Sequence, residues 1–350
     1  MKLKEKIEKI KDLLRNKKVL IAFSGGSDST LVVKIASEVS KEVFAVTIDT
    51  GVLPSDCVSK AQEIAKEIGV KHFVIKENFL EDKSFQSNPP NRCYICKDKM
   101  YSLVEKEAQR LGVDNIVDGT NISDLLEDRP GIMVTFDNKI LSPLLLAGMT
   151  SEDVFKALEL MKQDYAKSTT CLATRIPKGQ EITMKKISRI NYAESLIKNL
   201  SQNETVRVRD DNDTATIEVG ELSKILDITK IDHIKSELKA VGFKKIKLDI
   251  DGYDEYKKDI VIYKPCKDDA NKIMFETELP YQIDIEKTCE SLYEIGELKC
   301  SVEMGIIMME LNKHNITIFK KGKIVARRVV DQEDAEELLL TILPFIRRIV

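Results

Sequence analysis

The chain has 350 residues, about two to three times the usual domain length, so more than one hydrophobic core is expected. Lysine and arginine number 55 against 58 aspartates and glutamates, a net charge of −3, and 43% of residues are hydrophobic. That composition excludes a disordered chain and argues against a protein built mainly to grip a phosphate backbone, so nucleic acid is demoted as a partner. The opening MKLKEKIEKIKDLL places Leu and Ile at helical spacing between charges, without the apolar centre of a secretory signal. No later run approaches the roughly 18 apolar residues of a membrane-spanning helix, so no membrane partner and a cytoplasmic location are expected.

Short β-branched runs at Val19–Phe23, Val43–Ile48, His72–Ile75 and Asn115–Val117 alternate with helical stretches at Asp28–Ser40, Asp56–Ile68 and Lys97–Leu111. This α/β pattern predicts a doubly wound parallel sheet with helices on both faces. Ligands of such sheets sit beyond the carboxyl ends of the strands, which directs attention to Ser24–Ser29, the turn after Asp49 and the loop opening at Asp118. A helix from Ser151 to Met161 closes this first unit, expected over residues 1–165. A smaller α/β unit is expected over 166–260, with a helix at Thr183–Leu200, strands at Thr205–Val208 and Thr214–Val219, a helix at Ile231–Val241 and a strand at Lys245–Ile250. An α+β unit of open role is expected over 275–350. It has a helix near Ile285–Tyr293, strands at Met304–Leu311, Ile316–Phe319 and Ile324–Val329, a hairpin at Lys321–Gly322 and a helix from Asp331.

The segment VLIAFSGGSDST, from Val19 to Thr30, reads as a buried strand, a glycine- and hydroxyl-rich turn and a helix start. Gly25 and Gly26 allow backbone N–H groups close to a phosphate, Ser24, Ser27 and Ser29 add hydroxyls, and the helix terminus adds its positive dipole end. The spacing is not that of a Walker loop, because no lysine follows the glycines. A plain capped turn would explain the glycines alone, but strand, motif and helix in this order favour an anion cradle. SGGSDS resembles the PP-loop of the ATP pyrophosphatase superfamily, which cleaves ATP between the α and β phosphates. That resemblance implies that Ser24, Gly25, Gly26, Ser27, Asp28 and Ser29 hold ATP, with Asp28 orienting Mg2+ or the loop. Asp49 stands where the superfamily contacts the nucleotide, although a strand-end turn is an equal account.

Seven cysteines are expected to be thiols in a reducing compartment. Cys93 and Cys96 form C-x-x-C, which suits a redox pair, half a zinc site or two unrelated thiols. His72, His233 and His314 are isolated, so a zinc tetrahedron lacks ligands. With Cys171, 75 residues beyond Cys96, the pair would make three thiolates, a set that suits a 4Fe-4S cluster with one iron open to a small ligand. Cys57, Cys266, Cys289 and Cys300 are expected to be buried apolar thiols.

Over most of the first 255 residues the chain resembles the LarE family of ATP-dependent sulfur transferases. The motifs are AFSGGSDS, NPPNRCYICK, DGTNISDLLEDRPG, SPLLLAGMT, CLATRIPKGQEIT, RVRDDNDTATIEV and LKAVGFKKIKLDIDGY, in that order. The resemblance implies adenylation of a carboxylate of pyridinium-3,5-biscarboxylic acid mononucleotide and displacement of AMP by sulfur, within nickel-pincer cofactor biosynthesis. Cys171 matches the cysteine that in one form of the family gives up its own sulfur. The additional Cys93 and Cys96 resemble the iron-sulfur-dependent form, in which the cluster carries the sulfur, and that reading is preferred. Arg175, Arg207 and Arg209 match positions near the substrate phosphate and carboxylates, and Arg207 and Arg209 share a strand face; Thr174 stands where the family usually has a Ser and keeps its hydroxyl, and Glu218 is expected to face the same pocket. A solvated face pairing Arg207 and Arg209 with Asp210 and Asp211 is nearly as good an account, and Asp124 and Arg129 read equally well as a rim ion pair. The implied partners are a nucleotide-like carboxylate substrate, a sulfur source (sulfide or a donor protein) and further copies of the chain in a homo-oligomer. The competing readings are tRNA thiolation, which lacks an RNA-binding appendage here, PP-loop amide synthesis, which needs no three cysteines, and a non-catalytic nucleotide or cluster carrier.

Overall fold

The computed structural model describes residues 2–167, 169–253, 261–265 and 273–350. Cys266 and the expected boundary at residue 260 lie outside the described residues. The chain begins α1 (Leu3–Leu14), β1 (Lys18–Ala22), α2 (Ser27–Val39), β2 (Glu42–Asp49), α3 (Cys57–Ile68) and β3 (Lys71–Lys76). The one-turn α4 (Lys83–Gln86), the long α5 (Arg92–Leu111) and β4 (Asn115–Val117) follow. β1 pairs with β2 and β4, and β2 with β3, all parallel, giving the order β3-β2-β1-β4.

Successive residues of β1 point to opposite faces, and both faces are covered. Val19 and Ile21 enter one core with Leu31 and Ile35 of α2 and Ile10 of α1, whereas Leu20 enters another with Tyr101 and Val104 of α5. The near-continuous apolar run in the sequence has this cause, and the expected doubly wound α/β architecture is observed.

The loop that opens at Asp118 contains more structure than its polar composition suggests: α6 (Ile122–Leu125), α7 (Ile132–Asp137) and α8 (Pro143–Leu146), before α9 (Ser151–Met161). Helix α5 also starts at Arg92 rather than Lys97, so Cys93 and Cys96 stand on its first turns and not in a loop before it. Beyond them come α10 (Met184–Ser201), β5 (Val206–Asp211), β6 (Thr214–Val219), α11 (Ile228–Ala240) and β7 (Lys245–Leu248), with β6 antiparallel to β5 and parallel to β7.

The C-terminal sheet contains β8 (Val261–Pro265), β9 (Ile273–Glu278), β10 (Leu298–Ser301), β11 (Ile306–Leu311), β12 (His314–Phe319) and β13 (Lys323–Val329), in the order β10-β11-β12-β13-β9-β8. Helices α12 (Ile285–Leu292) and α13 (Gln332–Ile342) contribute Cys289, Leu292, Leu338 and Ile342 to its core. Three of these strands, β8, β9 and β10, were not marked by the alternation of the sequence. Cys289 and Cys300 correct the expectation of free thiols: they form a disulfide with Cα atoms 6.5 Å apart, because α12 lies across the β10 edge. Cys57 is free but only half-buried, at the start of α3.

Asp118, just past β4, is buried. Its carboxylate accepts from the hydroxyls of Ser142 (2.6 Å), Thr120 (2.6 Å), Tyr101 (2.9 Å) and Thr135 (3.1 Å), with Lys97 Nζ at 3.6 Å. Burial pushes its pKa up, but Lys97 and these donors outweigh burial and the net shift is downward. Its stabilisation is therefore present above the unfolded carboxylate range and is lost only as pH falls through the depressed folded value. Replacing Asp118 by Ala would strand Lys97 and four hydroxyls, and urea denaturation should show a loss of about 3–5 kcal/mol.

Candidate active site

The turn after β1 is shaped by Gly25, whose φ of +77° is open to glycine, and whose absent Cβ would sit 3.1 Å from Ala61 Cα on α3. Ser24 Oγ accepts from the Gly26 N–H at 3.3 Å and lies 3.2 Å from Ser29 Oγ, which donates to the Gly26 carbonyl at 3.2 Å. Ser27 and Ser29 are buried in the first turn of α2, while Ser24 is exposed at the mouth. A helix start with its N–H groups uncapped by side chains is thereby presented as an anion cradle. Gly119 closes the far wall, since a Cβ there would meet the Ser29 nitrogen at 2.8 Å.

Asp28 projects from this turn towards the loop after β4. Its Oδ1 accepts from Asn121 Nδ2 at 2.8 Å, and Asn121 in turn caps α6, whose Asp124 is paired with Arg129 at 2.5 Å. The rim ion pair anticipated for Asp124 and Arg129 is thus formed. Burial, then the Asp124 carboxylate, push the Asp28 pKa up to about 6. A carboxylate destabilised in this way is poised to accept a cation. Asp49 ends β2 and accepts from the Gly51 N–H at 3.2 Å, the strand-end turn that competed with a nucleotide role.

The second half of the site is stitched from two distant segments. Asn88, fully buried and with φ of +56°, donates from Nδ2 to the carbonyls of Pro177 (2.8 Å) and Gln180 (3.0 Å). The buried Arg92 donates to Asn88 Oδ1 and, at 3.0 Å, to the Ala173 carbonyl. NPPNRCYIC is thereby fastened to CLATRIPKG, and Leu172 N–H reaches the Val52 carbonyl after β2 at 2.8 Å. Cys96 and Cys171 pack against the same core here, and Cys93 stands one turn before Cys96 on α5. Burial raises the Cys96 pKa and the neighbouring Cys171 and Cys93 raise it further; burial also raises that of Cys171, opposed by Arg92. Cys93 is exposed, with its sulfur 3.9 Å from an Arg92 nitrogen. Among the described residues no three His, Cys, Asp or Glu side chains are spaced to hold a metal ion. Three thiols are the kind of donor a cluster takes, but as placed they do not form a metal site.

The arginines divide. Arg175 is fully buried, donating to Glu194 (2.6 Å), Thr170 (2.6 Å) and Thr174 (2.5 Å), so as placed it braces the Cys171 loop against α10. Arg207 is buried, with its pKa lowered by burial and then by Arg175, and stacks 5.3 Å from the Tyr253 ring. Arg209 is partly exposed and grips Glu218 at 2.8 and 2.9 Å. Neither pairs with Asp210 or Asp211: Asp210 is taken by Arg189 at 2.6 Å. The residues that sequence reasoning missed are Asn88, Arg92, Asn121 and Glu194. Asn88, Arg92 and Asn121 lie inside the motifs NPPNRCYICK and DGTNISDLLEDRPG, whereas Glu194 on α10 carried no local signal.

The family model for queuosine biosynthesis protein QueC matches residues 18–100, which carry the cradle and the C-x-x-C. Pyridinium-3,5-bisthiocarboxylic acid mononucleotide synthase of Lactiplantibacillus plantarum is 32% identical over 249 residues, 70% of this chain and 88% of that protein. The chain belongs to the LarE family. An uncharacterised protein of Synechocystis sp. is 32% identical over 71% of this chain and 94% of its own length. One of Methanocaldococcus jannaschii is 33% identical over 71% of this chain and 95% of its own length. Membership in the LarE family and the PP-loop fold makes this an ATP-using enzyme. These alignments leave nearly a third of the chain unmatched. Among the described residues no helix is long and apolar enough to cross a membrane.

The raised pKa of Asp28 means that its ionisation opposes folding: stability is fully present below the unfolded value near 4 and declines as pH rises through about 6. Asp28→Asn keeps the acceptor for Asn121 and removes the charge. Without ATP or metal, it should be more stable than the parent at pH 8 by about 1–3 kcal/mol, with the difference vanishing near pH 4 in denaturant titrations.

Proposed function

We propose that the chain is an ATP-dependent sulfurtransferase that adenylates a carboxylate of a nucleotide-like substrate and replaces AMP with sulfur delivered at Cys93, Cys96 and Cys171. The observation that supports this most is the fastening of the C-x-x-C end of α5 to the Cys171 loop by Asn88 and Arg92, in a chain that also carries the phosphate cradle. In the proposed reaction a substrate carboxylate oxygen attacks the α-phosphorus of ATP, the bond to the β-phosphate oxygen breaks, and pyrophosphate leaves. A sulfur nucleophile then adds to the acyl carbon, and the bond to the AMP oxygen breaks to leave a thiocarboxylate. Adenylation is required because a carboxylate is a poor electrophile, whereas AMP is a good leaving group.

In this reading Ser24, Gly25, Gly26, Ser27 and Ser29 hold the phosphates, and Asp28 and Asp49 serve the Mg2+-bound nucleotide. Arg209, Arg207, Glu218 and Thr174 face the substrate, with Arg175 holding their wall through Glu194. Cys93, Cys96 and Cys171 would hold a 4Fe-4S cluster, whose chemistry is to carry a sulfur ligand on its open iron. Pyridinium-3,5-biscarboxylic acid mononucleotide is the substrate proposed by similarity to the Lactiplantibacillus plantarum synthase. The lack of a three-ligand group among the described residues favours a second reading. There the Cys171 sulfur displaces AMP from the acyl-adenylate to form a thioester, and loss of the Cys171 Cα proton with cleavage of its Cβ–S bond releases the thiocarboxylate and leaves dehydroalanine.

Asp28→Ala should abolish ATP-dependent pyrophosphate release, and activity equal to the parent would overturn the ATP reading. Protein purified without oxygen should hold about four irons per chain with matching sulfide, and Cys93→Ala, Cys96→Ala and Cys171→Ala should each lose the brown chromophore. Metal-free protein that resists reconstitution, and whose intact mass falls by one hydrogen sulfide at Cys171 after turnover, would establish the second reading.

A further inference from the structure

The segment from Asn121 to Asp137 touches both halves of the site. At its start Asn121 donates to Asp28, and Asp124 lies close enough to raise the pKa of Asp28. At its centre Gly131 leaves no room for a side chain, because a Cβ would lie 3.0 Å from the Cys93 carbonyl oxygen. At its end Asp137 accepts from the hydroxyl of Tyr94, the residue between Cys93 and Cys96 in C-x-x-C, at 3.1 Å. A shift of this segment would therefore move the nucleotide carboxylate and the thiol helix together.

Asp118 and the Val134 contact with the core under α5 hold the segment on one side, and the C-terminal unit holds it on the other. Ile122, Leu125 and Ile132 are buried in one core with Phe275, Leu279 and Ile346, so the short helices α6 and α7 have no separate core. Helices of four and six residues do not persist without such packing. Directional contacts then set the register. Tyr281 donates its hydroxyl to the Leu125 carbonyl at 2.7 Å, Arg348 pairs with Asp128 at 2.6 Å and lies 4.6 Å from the Tyr281 ring, and the Arg347 guanidinium sits 3.9 Å from the Phe136 ring centre. Asp124, Arg129, Tyr281 and Arg348 line one small crevice at this junction.

We propose that the C-terminal sheet is a positioning element for the active site, with Tyr281 and Arg348 as positioning residues that hold the Asn121–Asp137 segment between the ATP cradle and the thiol helix. The proposal rests on the ATP-and-thiol reading above and assigns the C-terminal unit a role in it. Neither residue touches the proposed reactants; both act through the segment. Loosening it should weaken nucleotide binding at the Asp28 side and change access to Cys93 at the other.

The test uses the full-length chain with Tyr281→Phe, Arg348→Met and Arg348→Lys, each checked for a cooperative thermal transition. In Arg348→Met the KM for MgATP in pyrophosphate release should rise about 3- to 10-fold with kcat within about twofold, and iodoacetamide alkylation of Cys93 should change at least about threefold. Arg348→Lys should restore most of both, and Tyr281→Phe should move both in the same direction by less. Folded variants with KM and alkylation rate within about 1.5-fold of the parent would overturn the proposal. If Arg348→Met does not fold, Tyr281→Phe decides, since it removes one hydroxyl and keeps the buried ring. If the parent itself releases no pyrophosphate, the ATP reading fails, and the Cys93 alkylation rate alone decides whether the sheet positions the thiol helix.

Discussion

A single buried carboxylate, Asp118, ties the two chemical halves of the molecule together. It gathers Tyr101 and Lys97 from the thiol helix, Thr120 from the loop that reaches Asp28, Thr135 from α7 and Ser142 from the turn before α8. A buried charge must be paired and hydrogen-bonded, and every group recruited to satisfy it is thereby fixed relative to the others. The closeness of Gly119 to Ser29 and the bond from Asn121 to Asp28 follow from where that carboxylate holds the chain.

The electrostatics of the two halves are opposed in a way that suits their chemistry. Around Asp28 a second carboxylate and burial make a negative charge costly, so the site favours an incoming cation. Around Cys171 and Cys96 burial keeps the thiols neutral, while Arg92 beside Cys171 and Lys99 near Cys96 favour the thiolate once something stabilises it. Both cationic groups lie on α5, and Arg92 is itself part of the bonding that fastens this helix to the Cys171 loop, so the same stitch also delivers positive charge.

Much of this was readable in advance because it is local. The cradle is a contiguous motif whose strand, glycine turn and helix can be recognised from period and composition, and Gly25 occupies the positive-φ position such a turn needs. The β1 run had to be buried on both faces because it contains no polar alternation. The short helices of the Asp118 loop were not readable, since four to six residues carry no periodicity and these helices persist only by packing on three separate cores, Ile122 and Ile132 on the C-terminal one, Val134 and Leu144 on those either side of the parallel sheet. Arg175 shows the same limit: its motif suggested a residue facing substrate, but its partner Glu194 comes from α10 and draws it into the interior.

By itself the sequence determined the parallel α/β sheet, the phosphate-type turn, the identity of the three cysteines and the family resemblance, all of which depend on residue order and spacing. Only the tertiary structure decided that the Cys171 loop is fastened to the C-x-x-C helix, that burial, Asp124 and Asn121 set the character of Asp28, that Cys289 bonds to Cys300, and that Tyr281 and Arg348 reach the loop after β4. Each of these is a contact between segments far apart in the chain. Such contacts follow from burial and from the satisfaction of polar groups, which a one-dimensional pattern does not encode.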